Sequence, residues 1–117
     1  MADVIGAIRD KWIAIGGDAF TGPALDIEQP TFDGVGRAQR FQNGVVISWH
    51  PAVGAHEVHG AICVAWQRSG SEQGRLGYPT TDETGPTSHR RNNFQHGFID
   101  WTPQRGPQVH GPVVLDD

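Results

Sequence analysis

Phe41-Gln-Asn-Gly44-Val-Val-Ile-Ser-Trp49-His-Pro51-Ala-Val-Gly54-Ala-His-Glu-Val58-His-Gly60 is the stretch that decides the reading of this chain, because it occurs twice. The second copy runs Phe94-Gln-His-Gly97-Phe-Ile-Asp-Trp101-Thr-Pro103-Gln-Arg-Gly106-Pro-Gln-Val109-His-Gly111. The offsets are 94 − 41 = 53, 101 − 49 = 52 and 109 − 58 = 51. A period near fifty marks one structural unit used more than once, and such a unit rarely buries its apolar face alone.

Working outward, Asn43-Gly44 is a strong tight-turn signal between two β-prone runs, Arg40–Asn43 and Val45–Trp49, and His96-Gly97 stands at the same place in the second copy. Turns at Pro51–Gly54 and Pro103–Gly106 lead to Val-His-Gly and the next element. Upstream, Ile5, Ile8, Trp12 and Ile15 share one helical face, which predicts a helix over 4–16 with Asp3 as N-cap and Gly16-Gly17 as its stop. Gly-Ala-Ile-x-x-x-Trp recurs at 60–66, so a second helix is expected there, with Trp12 and Trp66 facing the core. Each helix is followed by a Gly/Pro-rich loop: Phe20-Thr-Gly22-Pro23 through Glu28, and Leu76-Gly77-Tyr78-Pro79 through Glu83. The expected fold class is therefore α+β. Two pseudo-symmetric units, each a short helix, a loop and a β-hairpin, form one domain over 1–117, with a propeller-like arrangement open to it on assembly. Repeat one spans 4–57, repeat two 58–108, and 109–117 begins a third unit.

Composition narrows the function. The 117 residues carry 9 Lys and Arg against 13 Asp and Glu, a net charge of −4, so no basic stripe is available for nucleic acid or another polyanion. Sixteen Gly and 8 Pro favour turns and short elements. Cys63 is the single cysteine, which excludes an intrachain disulfide; in Ala61-Ile-Cys-Val-Ala it reads as a small buried hydrophobe. No secretory signal and no run long enough to span a bilayer is visible, and the compartment stays open between cytoplasm, another export route and a replaced leader.

The combined motifs resemble the LGFP repeats. The second unit carries Leu76-Gly77-Tyr78-Pro79, Asp82-Glu83 and Phe94-x-x-Gly97-x-Ile99-x-Trp101, and Gly54-Ala55-His-Glu-Val58-His-Gly60 fits the linker. The first unit departs, with Phe20-Thr-Gly22-Pro23 in place of the name-giving motif; Asp26 keeps its spacing from the proline but Glu28 lies five after it. The resemblance implies a secreted or cell-wall-associated repeat protein of actinobacterial type, of the kind appended to hydrolases or mycolyl-transferring enzymes and thought to hold them on wall polysaccharide. Glycan binding is the part that transfers to a chain with no appended enzyme.

Candidate site residues follow from chemistry. Trp49 and Trp101 each end a strand beside a proline turn, where an indole face can stack on a sugar or simply cover the helices. Glu28, Asp82, Glu83 and Asp100 offer carboxylates that accept paired hydroxyl donors, or cap loop N–H groups. His59 and His110 stand in equivalent Val-His-Gly triplets. Six His show no HExxH, Cys partner or tight cluster, so no metal is expected, and no cofactor. No GxSxG frame, GxxxxGK[ST] loop or GxGxxG loop is present. These readings lead to a non-enzymatic, lectin-like module with weak calcium-independent glycan binding, one shallow site per unit, in a groove near Trp49 and Trp101. The alternative is a structural or interaction scaffold, and the third reading an accessory of a cell-wall hydrolase. Two units and a stub, ending in apolar Pro112-Val-Val-Leu115, point to a homo-oligomer, most simply a dimer, with no membrane partner.

Overall fold

The computed structural model describes residues 3–112. Helix α1 (Gly6–Ala14) and a short α2 (Asp18–Thr21) precede strands β1 (Gln29–Pro30), β2 (Arg37–Phe41), β3 (Val45–His50) and β4 (Gly54–His59). Helix α3 (Gly60–Arg68) and a 3-10 turn at Ser71–Gln73 then lead to β5 (Arg90–Phe94), β6 (Gly97–Thr102) and β7 (Gly106–His110). The strands form two antiparallel sheets, ordered β1-β2-β3-β4 and β5-β6-β7. The protein is a small α+β domain in which both sheets are meanders and helices are few. Of the expected third-unit start, 113–117 lie outside the described residues.

Both hairpins stand where the turn signals put them, with differences. Gly44 supplies a φ of +74° beside Asn43, as a tight turn requires. In the second hairpin Phe94 pairs directly with Gly97, so the loop is Gln95-His96 rather than His96-Gly97. Gly97 is a strand residue whose missing Cβ makes room for the backbone oxygen of His110. The larger difference is a third strand per sheet. Gly54–His59 and Gly106–His110 read as returns to the helix, because His56, Glu57, Pro107 and Gln108 break any apolar alternation; edge pairing to β3 and β6 overrides that weak local preference. Asp3 is not the α1 N-cap: Ile5 holds that position without a side-chain cap bond.

Two cores flank the first sheet. On one face Phe41, Val45 and Ile47 pack with Ile8 of α1, with Trp12, Phe20 and Trp49 half-buried around them. On the other, Val46 and Val58 meet Ile62, Cys63 and Trp66 of α3 together with Leu76, Phe94 and Ile99 from the second sheet's side. Helix α3 thus fills the space between the sheets, and each such side chain contributes about 1.5–3 kcal/mol by leaving water. Cys63 is buried, and desolvation raises its thiol pKa to about 12, consistent with a packing role.

The loops before β2 and β5 dock by the same bonds. Asn43 N donates to Thr21 O and His96 N to Leu76 O; Gln42 N donates to Pro23 O and Gln95 N to Tyr78 O. Gln39 Nε2 reaches the carbonyls of Asp3 and Asp26, and Asn92 Nδ2 those of Glu57 and Thr81. These bonds correct the sequence alignment by one position. Gly22 (φ +69°) answers Gly77 (φ +77°), so Thr21-Gly22-Pro23-Ala24, not Phe20-Thr-Gly-Pro, stands opposite Leu76-Gly77-Tyr78-Pro79. The shared need is a left-handed glycine, which outranks matching prolines. On this register (77 − 22 = 55) Glu28 answers Glu83 (83 − 28 = 55).

Candidate functional site

At the start of α3 the chain opens a cleft of about 200 Å³, lined by His59, Gly60, Ala61, Ile62, Glu83, Arg90 and Trp101. Its floor is positioned from three directions. His59 ends β4 and stands at the α3 N-cap, with φ −146° and ψ 167°, making no cap bond. Arg90 and Trp101 are direct cross-strand partners on β5 and β6, so their side chains share one face of the second sheet. Glu83 comes from the loop after Tyr78-Pro79, and its backbone N–H donates to Glu57 Oε1 at 3.0 Å.

The polar groups form one chain of charges. His59 Nδ1 lies 2.7 Å from Glu57 Oε2, and its Nε2 lies 3.5 Å from Glu83 Oε2. Arg90 Nε donates to the same Glu83 oxygen at 2.7 Å and Arg90 Nη2 to the Glu83 carbonyl at 3.3 Å, while Nη1 reaches Gly85 O. The Glu57 and Glu83 side chains are 6% and 8% exposed, against 29% for His59. The hydrogen bond with Glu57 raises the His59 pKa above its ordinary value; burial opposes that shift, and the charges of Glu57 and Glu83 reinforce it. Phe20 meets the His59 ring edge-on at 5.1 Å. Behind Glu57, Asp82 accepts the Glu57 N–H at 3.1 Å, pairs with Lys11 at 2.7 Å and lies 3.4 Å from His56.

Two further clefts adjoin. One of about 430 Å³ runs between α3 and β7, lined by Ala61, Val64, Ala65, Arg68, Pro107 and Val109 among others. Another of about 310 Å³ lies between α3 and the first hairpin, around Leu25, Arg40, Val46, Gly60, Cys63 and Val64. Gly60, Ala61 and Val64 each line two of these three clefts, which therefore cluster around α3.

The LGFP-repeat family profile matches the chain in two repeats, residues 22–74 and 76–116. The chain belongs to the LGFP-repeat family. No curated protein matches it.

The sequence candidates divide among separate places. Trp101, Glu83 and His59 meet in the cleft, with Asp82 one layer behind. Trp49 packs half-buried in the first core, its strand partners being Arg37 and Ala55. Glu28 is half-buried in the loop before β1. Asp100 and His110 lie on the face of the second sheet opposite Trp101. There Asp100 contacts His110 Nε2 at 3.0 Å and His89 Nε2 at 3.1 Å. Burial tends to raise the Asp100 pKa, but the hydrogen bonds from the two histidines outweigh it and hold it low. The His110 ring stacks on Phe98 at 4.4 Å, with the Arg91 guanidinium 3.7 Å from the same ring.

His59 and His110 are therefore not equivalent. His59 pairs with Val45, four residues before Trp49, while His110 pairs with Phe98, three before Trp101. Four residues separate Gly54 from Val58 but three separate Gly106 from Val109, and one residue inverts the face of a strand. Sequence reasoning missed Arg90, which lines the cleft, and Glu57, which holds His59 and the Glu83 backbone from behind it. Glu57 carried a legible signal: a carboxylate two residues before a histidine on a strand shares its face.

Proposed function

We propose that this LGFP-repeat protein is a non-enzymatic carbohydrate-binding module whose site is the cleft at the start of α3. One observation carries the reading: an indole, Trp101, shares a cleft with a nearly buried carboxylate, an imidazole and a guanidinium. A flat aromatic offers a face to sugar C–H bonds, and fixed polar groups take the hydroxyls. A second, largely apolar cleft adjoins at Ala61, which suits a chain of sugar residues more than a single ring. The two halves are read as pseudo-equivalent units, each a helix, a loop and a three-stranded meander, with repeat bounds 4–57 and 58–108 and a third beginning at 109. A propeller-like closure would require further copies.

The test is a glycan array probed with the wild type, Trp101→Ala and Glu83→Gln. Retention of an oligosaccharide by the wild type and its loss in both folded variants is expected. Equal retention by all three would place the site elsewhere. A scaffold role is the second reading, favoured by the exposed apolar side chains Leu25, Ile27, Phe32, Val35 and Val64. These also support a homo-oligomer, most simply a dimer, for which light scattering at micromolar concentration is the measurement; a one-chain mass there removes it.

A further inference from the structure

His59 occupies a position where the fold does not need an imidazole. In the first half Ile5 stands at the α1 N-cap, with φ −134° and ψ 163°, nearly the backbone of His59. Each is followed by a glycine of matching conformation, Gly6 at +62° and Gly60 at +61°. Neither side chain caps its helix. An isoleucine therefore satisfies the same backbone, and helix initiation does not account for the histidine.

What distinguishes the second position is its surroundings. Both ring nitrogens face carboxylate oxygens, Glu57 on Nδ1 and Glu83 on Nε2. The other charged group on the cleft is Arg90, paired with Glu83; Asp82, Lys11 and His56 lie behind Glu57. The remaining neighbours, Phe20 and Trp101, do not titrate. Only the imidazolium can donate from both nitrogens at once. On losing a proton the ring keeps the shorter Nδ1–Glu57 bond, and Nε2 becomes an acceptor turned toward an acceptor, Glu83.

We infer that His59 is a proton-operated latch on this cleft: the imidazolium, anchored on Glu57 behind it, draws its Nε2 edge to Glu83 on the lining, and the neutral ring gives up that contact, leaving Glu83 to Arg90 and exposing the Nε2 lone pair to hydroxyl donors. The inference rests on the binding reading above for its purpose, but the latch itself needs no ligand. Its operating range lies above the pH at which a free histidine titrates, because the two carboxylates stabilise the charged form. The first half, with Ile5, has no such latch.

The experiment uses the full chain and two-dimensional NMR. The His59 ring and the Trp101 indole N–H are followed from pH 5 to 9 in the wild type, His59→Ile and His59→Gln. The expected result is a single common midpoint for His59 and Trp101, and a Trp101 signal that no longer moves with pH in either variant. A Trp101 signal that stays still while His59 titrates would overturn the latch, as would an unchanged Trp101 titration in His59→Ile. Maltohexaose and chitohexaose, two uncharged probes, are then titrated on either side of the midpoint. Severalfold tighter binding on the alkaline side is expected, and equal binding on both sides overturns control of the site. Failure to bind either probe at any pH, with the common midpoint intact, counts against the carbohydrate reading alone.

Discussion

His59 and His110 stand at the centre of the same Val-His-Gly triplet yet leave their sheets on opposite sides relative to the strand tryptophans. His59 is paired with Val45, on the Trp49 face, and His110 with Phe98, on the face away from Trp101. The first joins Glu57 and Glu83; the second joins Asp100 and Phe98. No partner is shared, so the two should behave independently. His110→Ala is expected to leave the His59 titration and the Trp101 resonance where they are. Thermal unfolding of the single and double variants should add within about 0.5 kcal/mol. A larger coupling would mean that the two faces communicate.

The offsets 53, 52 and 51 between the copies already recorded this divergence. The first step falls inside the hairpin loop, where Phe41 to Val45 shortens to Phe94 to Gly97, and the second inside the returning strand. A loop absorbs a lost residue; a strand turns its side chains over. Hairpins, helices and the presence of two repeats were legible because turn glycines and Ile-x-x-x-Trp spacing are local signals. The third strands were not, since Gly54–His59 and Gly106–His110 owe their extended form to a neighbour. Trp101, Glu83 and His59 could be named one by one, but their meeting depends on how β4 runs into the second half, which no local pattern encodes. Arg90 looked like part of an approach to Phe94; only its pairing across from Trp101 makes it part of the cleft.

The two helix tryptophans should separate by depth. Trp66 is 1% exposed and donates to Gly77 O at 3.0 Å, so Trp66→Ala deletes a filled core position and is expected to cost about 3–5 kcal/mol. Trp12 shares the core-facing position in α1, but it is half-buried and donates to Thr21 Oγ1 at 2.9 Å, so Trp12→Ala is expected to cost only about 1–3 kcal/mol. Urea midpoints of the two variants give the order. Trp12→Ala equal to Trp66→Ala would mean that the first core carries as much of the fold as the second.

Two glycines test which kind of constraint each obeys. Gly77 has φ +77°, and an added Cβ would meet mainly the movable end of Gln95 at 2.6 Å. Gly77→Ala should therefore cost about 1–2 kcal/mol, the price of a left-handed alanine. Gly97 has an ordinary φ, but its Cβ would collide with the backbone oxygen of His110. A backbone atom in a sheet cannot step aside, so Gly97→Ala is expected to be the more damaging of the two. Denaturant unfolding of both variants checks the ranking, and the reverse order would contradict the β6–β7 pairing.

The His59 clamp also has a thermodynamic signature. Its pKa is raised in the fold, so the folded state binds the proton more tightly than the unfolded chain. The associated stability is fully present below about pH 6.5, the unfolded value, and is lost as pH rises through the folded value. Melting temperature should accordingly fall over that interval in the wild type, and the fall should shrink in His59→Ile, where position 59 takes up no proton in either state. Equal pH profiles for the two proteins would show that the carboxylates do not hold the charged ring.

Tyr78 distinguishes this chain's Leu-Gly-Tyr-Pro from the phenylalanine that names the family, and the hydroxyl has specific work. It donates to Asp33 Oδ2 at 2.8 Å and sits 2.6 Å from Thr31 Oγ1, while the ring lies 4.7 Å from His50 and 6.5 Å from Phe32. Asp33 in turn accepts from the Val35 and Gly36 N–H groups at 2.9 Å each, bonds that hold its pKa well below the usual carboxylate range. The motif of the second half thereby fastens the loop before β2 of the first. Burial raises the Tyr78 pKa to about 12, so this fastening persists into alkali, weakening only as pH rises from about 10 through that value. Tyr78→Phe keeps the ring contacts and removes only the hydroxyl; Asp33 is exposed, so water can take the place of the lost donor. The expected cost is therefore about 0.5–1.5 kcal/mol, the net contribution of one hydrogen bond. The amides of residues 31–36 should exchange with solvent faster, while those of β6 and β7 stay protected. Uniformly faster exchange across both sheets would mean that the hydroxyl supports the whole fold, and unchanged exchange in 31–36 that the loop is held by Asp33 alone.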